Sequence, residues 1–334
     1  LLLVRRRGSV PVWLGNSRNV QPSHFGFIDP IRSPEGPKIG VDSRISHGTL
    51  KGSDGRFYTT MINARTGKPE IVSALQASKS VVAFPGEMEK GNDQLRAMVR
   101  SRQVEYVGKN DVDYILPSHN QMFNPLSNMV PMIGSTDGGR LLMGSKFQLQ
   151  ALPLREPEAP LVQTLHESGK SFHELYGDKA GALRARKAGV VTDIGSDHMT
   201  VRYVGGEKVT HELFNNFPFN RKTFLHNTPT VKIGDQVAPG QLLARSNYTD
   251  GKGVMALGAN FRTGYMVHHC NTFEDAIVVS ESAAKRLSSE HMYQHVFDPE
   301  DTKEAGRKQF LSMFPAVYKK EQLTAIGEHG IVKP

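Results

Sequence analysis

Apolar and polar residues alternate along this chain in short bursts far more often than they recur at helical spacing. "RFYTTMI" (56–62) and "SVVAF" (80–84) are two such bursts, punctuated by Gly, Pro and Lys, which predicts short strands bounded by turns. "GVVTDIGSDHMTVRYV" (189–204) is the clearest hairpin, two β-branched runs around Gly195-Ser196-Asp197. "TPTVKIGDQVAPGQLLA" (228–244) reads as further β-structure with Gly-Asp and Pro-Gly turns. Helical signals are fewer. "SFHELYGDKAGALRARKA" (171–188) predicts a short helix, and from 280 to 334 the pattern turns helical, with "SESAAKRLSSEH" opening on a Ser280 cap. Residues 1–45 are rich in turns and arginine, residues 46 to about 115 form a small, mainly β module, and no internal repeat of 20–50 residues is visible. The expected fold is mixed α/β, β-dominated and multidomain.

Length allows two or three domains with real cores, since the chain has 334 residues, 38% hydrophobic and 22% charged. The net charge of +8 favours a polyanionic partner. The excess is concentrated: residues 1–40 hold Arg5, Arg6, Arg7, Arg18, Arg32 and Lys38 against Asp29 and Glu35. A solvated basic surface is the plain alternative to a binding face. A single cysteine, Cys270, excludes an internal disulfide and a thiolate cluster for zinc or iron–sulfur. No apolar run approaches the ~20 residues of a membrane span, and the compartment is read as cytoplasmic. The absent initiator Met and the abrupt "GIVKP" suggest that both ends are cuts in a longer polypeptide.

Several enzyme signatures fail on inspection. Gly169-Lys170-Ser171 imitates the end of a phosphate-binding loop, but Thr164 stands where its first glycine belongs. His173-Glu174 and His211-Glu212 each begin a zinc-helix motif, yet Gly177 and Asn215 replace the second histidine. His268-His269-Cys270 would alternate sides on a strand, so packing or hydrogen bonding is a better reading than a metal site. "VKIGDQVAPGQLLA" has the spacing of a biotinyl or lipoyl carrier hammerhead, although Lys252 in the following "ARSNYTDGKG" matches the modified lysine poorly.

Three stretches carry candidate chemistry. In "IRSPEGPKIG" (31–40) two prolines bracket Glu35-Gly36, predicting a stiff turn that holds one carboxylate in a set direction. "GSTDGGRLLMGSKFQLQALPL" (134–154) reads as a Gly-rich turn delivering Arg140, then Lys146, with Gln148 and Gln150 on one face of a strand. Arg140 could fork onto a phosphate or simply satisfy a loop carbonyl. "NTFEDAIVVSE" (271–281) places Glu274-Asp275 before a buried-looking Ala-Ile-Val-Val run; a helix cap is the alternative role for these acids.

Taken in order, "RRRGS", "VQPSHFGFIDPIRSPEGPKIG", "GGRLLMGSKFQLQALPL", "VKIGDQVAPGQLLA", "ALGANFRTGYM" and "FEDAIVVSE" resemble consecutive landmarks of the β subunit of multisubunit DNA-directed RNA polymerases. The resemblance runs over nearly the whole chain and covers a central segment of such a subunit. It implies a fork region at 1–45, an external lobe at 46–118, and the first part of the hybrid-binding region at 119–334, with a hammerhead-like 228–244 and strands of a double-psi β-barrel. It further implies that Arg140 reaches the incoming nucleoside triphosphate. Glu274 and Asp275 would stand beside the second of two Mg2+ ions. Arg5, Arg6, Arg7, Arg18, Glu35, Lys38, Lys146 and Gln150 would line the RNA–DNA hybrid, Gln150 near the RNA 3′ end.

The first Mg2+ would belong to an Asp-x-Asp-x-Asp run in a β′-like largest subunit, a run absent here. Two further β-subunit lysines would lie past residue 334. Implied partners are therefore that subunit or its fragments, the remaining β portion, other polymerase subunits, template DNA, transcript and triphosphates, and no membrane. The chain would be inactive alone. Lys38 and Lys146 replace the asparagines of the bacterial pattern, "GSTDGGR" replaces a more acidic turn, and "HHCNTFED" replaces an aromatic, glycine-containing approach. Asp42 stands where an apolar residue borders the rifamycin pocket. Such drift points to a divergent polymerase, such as that of a large bacteriophage with split subunits, in the host cytoplasm or packaged in the virion. A non-catalytic nucleic-acid-binding protein on the same fold and a carrier-type enzyme subunit are the alternative classes.

Overall fold

The alternation at 57–63 does what it predicts. Strand β2 (Phe57–Asn63) buries Thr59 and Met61 and turns Thr60 outward, because successive side chains on a strand face opposite sides. In this computed structural model, which describes residues 18–100, 103–219 and 222–293 and positions 308, 312, 322, 324, 325 and 327, β2 belongs to a seven-stranded sheet. Its other members are β1 (Leu50–Lys51), β3 (Pro69–Ser73), β4 (Val81–Ala83), β5 (Gln94–Val99), β6 (Gln103–Gly108) and β7 (Tyr114–Ile115). The order is β1-β2-β7-β4-β5-β6, with β3 also on β2. β4 and β7 run parallel, and the other pairs antiparallel. The short helix α1 (Ala74–Ala77) follows β3 and is capped by Ser73, whose Oγ accepts from Gln76 N.

The sheet's main core joins Met61, Val72, Val82, Met98 and Leu116 to Phe25 and Phe27 from the preceding irregular segment. Phe25 meets Phe84 edge-on at 5.6 Å between ring centroids. Burying an aromatic side chain of this kind stabilises by roughly 1.5–3 kcal/mol, so these two rings anchor residues 18–46 on the sheet.

Helix α2 (Pro125–Asn128) is capped by Asn124, and α3 (Gly138–Leu149) by Asp137, whose Oδ2 accepts from the N–H groups of Gly139 and Arg140. Here the structure corrects the strand expected for 134–154. Leu, Met, Lys and Gln dominate the run after Arg140 and favour helix, the aspartate cap satisfies the first free N–H groups, and Leu141 and Ser145, four apart, form the buried stripe. Gln148 and Gln150 therefore do not share a strand face; Gln150 ends the helix and is exposed.

Helix α4 (Phe172–Gly177) has the expected place, closed by a reciprocal Ser171–Glu174 capping box. Strand β8 (Leu183–Arg184) leads into the hairpin of β9 (Gly189–Ile194) and β10 (His198–Tyr203), followed by β11 (Lys208–Glu212). Then come β12 (Phe217–Phe219), β13 (Thr223–Leu225), β14 (Asn227–Pro229), β15 (Gln236–Val237) and β16 (Leu242–Ser246). β12 pairs with β13 alone, while the others form a sheet of order β11-β10-β9-β15 and another of order β14-β16-β8 around a core of Val191, Met199, Val201, Tyr203, Leu243 and Ala244. Helix α5 (Glu281–Arg286) starts on Ser280, which accepts from Ala283 N as expected; most of the helical expectation for 280–334 falls outside the described residues. The fold is mixed and strand-dominated.

Two compact units divide the chain, residues 1–217 with 223–291 and residues 218–222 with 292–334. In the second, Met292 N donates to Lys222 O at 3.0 Å. Among the described residues no helix is long and apolar enough to cross a membrane.

Candidate functional site

Residues 18–46 contain almost no regular structure, so their shape depends on where their polar groups are satisfied. Asp29 is the hub. It is 3% exposed; its Oδ1 accepts from the N–H groups of Ile31 (2.8 Å) and Arg32 (3.0 Å), and its Oδ2 from Asn124 N (2.7 Å) and Ser127 Oγ (2.6 Å). Arg32, also buried, donates to Ser145 O at 3.0 Å, inside α3. Burial pulls its pKa down while Asp29 pulls it back up; an arginine starts so far above neutrality that it stays charged. One carboxylate and one guanidinium thus tie the segment to α2 and α3.

The Pro-Glu-Gly-Pro turn is built as the sequence implies. Gly36 has φ +93°, and its carbonyl accepts from Ile39 N at 3.0 Å. The Arg18 guanidinium braces the turn by donating to Pro37 O (2.7 Å) and Ile39 O (3.3 Å). Gly40 is required where the turn closes on Arg18: a Cβ there would stand 2.3 Å from Arg18 O. Glu35 is directed at Lys146 of α3, 3.6 Å away, and Lys38 is exposed, its ammonium without a hydrogen bond or ion pair among the described residues.

Arg140 sits in the first turn of α3, exposed, its guanidinium without a hydrogen bond or ion pair among the described residues. Lys146 lies six positions on, hence about 9 Å further along the axis and about 120° round it. Residues 18–46 and α3 therefore bring Arg18, Glu35 and Lys146 together around the turn, with Arg140 at the helix start and Gln150 at its end. Arg5, Arg6 and Arg7 lie outside the described residues.

Glu274 and Asp275 stand apart from this group, in an exposed turn with Glu274 at φ +56°. Neither makes a hydrogen bond or ion pair among the described residues, with Arg140 or otherwise. The run that follows corrects the sequence reading: it forms no described strand, and Ile277 is 83% exposed. An apolar run is buried only where another surface meets it, and no described residue supplies one. The acids also do not cap a helix; that role belongs to Ser280. His268, His269 and Cys270 fall in an exposed turn rather than a strand, the two rings 4.8 Å apart. No group of three or more potential metal ligands gathers among the described residues.

Besides Asp29 and Arg32, sequence reasoning missed a histidine pair. His47 Nδ1 lies 3.1 Å from Tyr176 Oη and its Nε2 3.1 Å from His166 Nε2, while His166 Nδ1 meets Ser168 Oγ at 2.9 Å. Phe172 packs edge-on against both imidazoles. Burial, then the neighbouring His166, lowers the His47 pKa, and burial raises that of Tyr176. Residues 47, 166 and 176 are too far apart in sequence for any local pattern to announce the pair.

Two family profiles match the chain, RNA polymerase Rpb2, domain 3, at residues 15–48 and RNA polymerase Rpb2, domain 6, at residues 184–334. Over 328 residues the chain is 33% identical to the DNA-directed RNA polymerase subunit beta of Streptomyces coelicolor, covering 95% of this chain and 28% of that protein. Over 327 residues it is 32% identical to the protein of the same name from Corynebacterium urealyticum, covering 95% of this chain and 27% of that one. The chain thus spans less than a third of the length of these relatives.

Proposed function

Because the chain belongs to the family of RNA polymerase β subunits, corresponding to a segment of them, we propose that it works as part of a DNA-directed RNA polymerase, a nucleotidyltransferase active only as a complex. The observation that carries this is the match over 95% of the chain to bacterial β subunits. In this reading the chain positions the incoming triphosphate and the RNA–DNA hybrid, with residues 1–45 as fork region, 46–118 as external lobe and 119–334 as the start of a hybrid-binding region that adds strands to a double-psi β-barrel.

Arg140 is the triphosphate contact. Its guanidinium is exposed and unpaired among the described residues, and its fork suits two phosphate oxygens at once. Lys38, Arg18 and Arg5–Arg7 meet backbone phosphates without reading sequence, and Glu35, Lys146 and Gln150 border the hybrid. Glu274 and Asp275 are hard oxygen donors of the kind Mg2+ accepts in ones and twos beside water and phosphate. Two carboxylates alone fit an ion held chiefly by a partner subunit and the nucleotide. When bound, the two ions stabilise the attacking and leaving oxygens of phosphoryl transfer. Chemistry then requires a β′-like largest subunit, the rest of the β portion, other subunits, template and transcript. Work in the cytoplasm, or the host cytoplasm, belongs to the same reading. A split bacteriophage polymerase would account for Lys38, Asp42 and Lys146; the relatives named above are bacterial.

Affinity purification of the tagged chain from its native source tests this. It should bring down a larger subunit carrying Asp-x-Asp-x-Asp, and the complex should incorporate nucleotides on a DNA template. Recovery of the chain with nucleic acid but no such subunit and no synthesis would favour a non-catalytic binding protein.

A further inference from the structure

Residues 153–159 connect two parts of the chain that are distant from them in sequence, through isolated bridges at Leu154 and Glu158. At one end Arg155 N donates to Ser288 O (3.1 Å) and Glu290 N to Pro153 O (3.0 Å); at the other Glu158 N donates to Gly258 O (2.8 Å). The chain between these attachments, 261–287, is the excursion that carries Glu274 and Asp275.

Glu158 links both of its ends. Its Oε2 accepts from the backbone N–H of Asn260 (2.9 Å) and from the Asn260 amide (3.2 Å), whose Nδ2 also donates to Ala159 O (2.9 Å). Its Oε1 pairs with the Arg286 guanidinium at the end of α5. Arg286 in turn donates to Asn260 O (3.2 Å) and stacks over the Phe261 ring at 5.0 Å. The Asn260 backbone N–H above all, then its side chain and Arg286, holds the Glu158 carboxyl below the usual carboxylate range.

Among the described residues the excursion has little else to order it. Tyr265, Val267, Phe273 and Ile277 are all at least 76% exposed, and its own hydrogen bonds are local, such as Asn271 N to His268 O and Ala276 N to Phe273 O. Segments with few buried contacts open locally unless their ends are fixed.

We propose that Glu158 is a positioning residue for the acidic pair Glu274–Asp275: it fastens both ends of the segment that carries them and so sets where those carboxylates stand. The clamp stands on the geometry above; its consequence for catalysis rests on the role proposed for the pair.

Hydrogen–deuterium exchange on the full chain tests the clamp. In Glu158→Ala, peptides within 262–279 should exchange on the order of tenfold faster, while those within 50–115 and 189–212 keep their rates. Glu158→Gln should fall between, since its amide oxygen still accepts from Asn260, and it provides the comparison if the alanine variant folds poorly. Arg286→Ala should loosen the C-terminal side more than the N-terminal side. Unchanged exchange in 262–279, or a rise spread evenly over the chain, would overturn the proposal. In the assembled polymerase the same variants should raise the Mg2+ concentration for half-maximal synthesis more than the nucleotide KM. Faster exchange with an unmoved Mg2+ requirement would support the clamp and remove the role given to Glu274 and Asp275.

Discussion

Residues 18–46 and residues 261–280 are both irregular, and both carry side chains assigned to the site, yet they are held in opposite ways. The first is held from within: Phe25 and Phe27 enter the core of the seven-stranded sheet, and Asp29 and Arg32 are buried and hydrogen-bonded to α2 and α3. Among the described residues the second is held only at its base, where Asn260 and Arg286 meet Glu158, and its own side chains face outward. Irregular chain can therefore be as firmly fixed as a strand when its polar groups find partners inside the fold. A segment without such partners takes its order from its ends and from whatever later covers it.

The largest test of the contrast is Asp29→Ala. Four donors lose their acceptor in a buried place, and leaving such groups unsatisfied costs about 3–5 kcal/mol in total. The double substitution Glu274→Ala, Asp275→Ala should cost less than ~0.5 kcal/mol, as exposed changes usually do. Urea melts of the two variants read this directly, and equal losses would erase the distinction between the segments.

Arg140 comes next, and its effect should fall on function. If Arg140 is the triphosphate contact proposed above, Arg140→Ala removes a charge-assisted contact worth ~1.5–3 kcal/mol and should lower kcat/KM for nucleotides roughly ten- to hundredfold in the assembled enzyme. Arg140→Lys should recover part of that, because a point charge lacks the two-pronged geometry. The melting curve should barely move. Steady-state elongation kinetics with a melt on the same variant check both, and an unchanged kcat/KM would falsify the contact.

The smallest effect is the pH response of the pinned region. Burial lowers the folded-state pKa of His47, so the unfolded chain binds more protons as pH drops through the ordinary histidine value near 6.5. Stability from this group is therefore complete above that value and lost as pH falls toward the folded value. His24, His173 and His211 are shifted the same way, also mainly by burial. Urea midpoints at pH 7.5 and 5.5 should differ less in His47→Gln than in the parent chain; an identical difference would exclude His47 as a contributor.

What could be read beforehand follows physical lines. Strands β2 and β9 were legible because each has one face inside, β10 because Met199, Val201 and Tyr203 enter the core at alternate positions, and the Ser280 cap because its partner is three residues away. Helix α3 was not. Its paired glycines imitate a turn, "FQLQALPL" imitates strand alternation, and its buried stripe is only Leu141 and Ser145. Glu35 and Lys146 could be nominated separately, but their pairing follows from tertiary structure. Asp29 entered only as a countercharge to the arginines around it, since its burial is decided by Asn124 and Ser127, far along the chain. The Ala276–Val279 run erred the other way, its composition promising a core that the described residues do not provide.

The parallel pairing of β4 with β7 has a consequence for how the first sheet comes to exist. β7 is the last of its strands to be synthesised, yet it lies in the middle, between β2 and β4. The β2–β3 and β5–β6 pairs join neighbours in sequence and can form as soon as they emerge. Until Tyr114 and Ile115 arrive, the sheet is two pieces facing each other across a gap, each with a bare edge of the kind that recruits foreign strands. A strand of two residues thus acts as the keystone, and the order of synthesis, rather than the strength of any one contact, sets when that edge stops being a hazard.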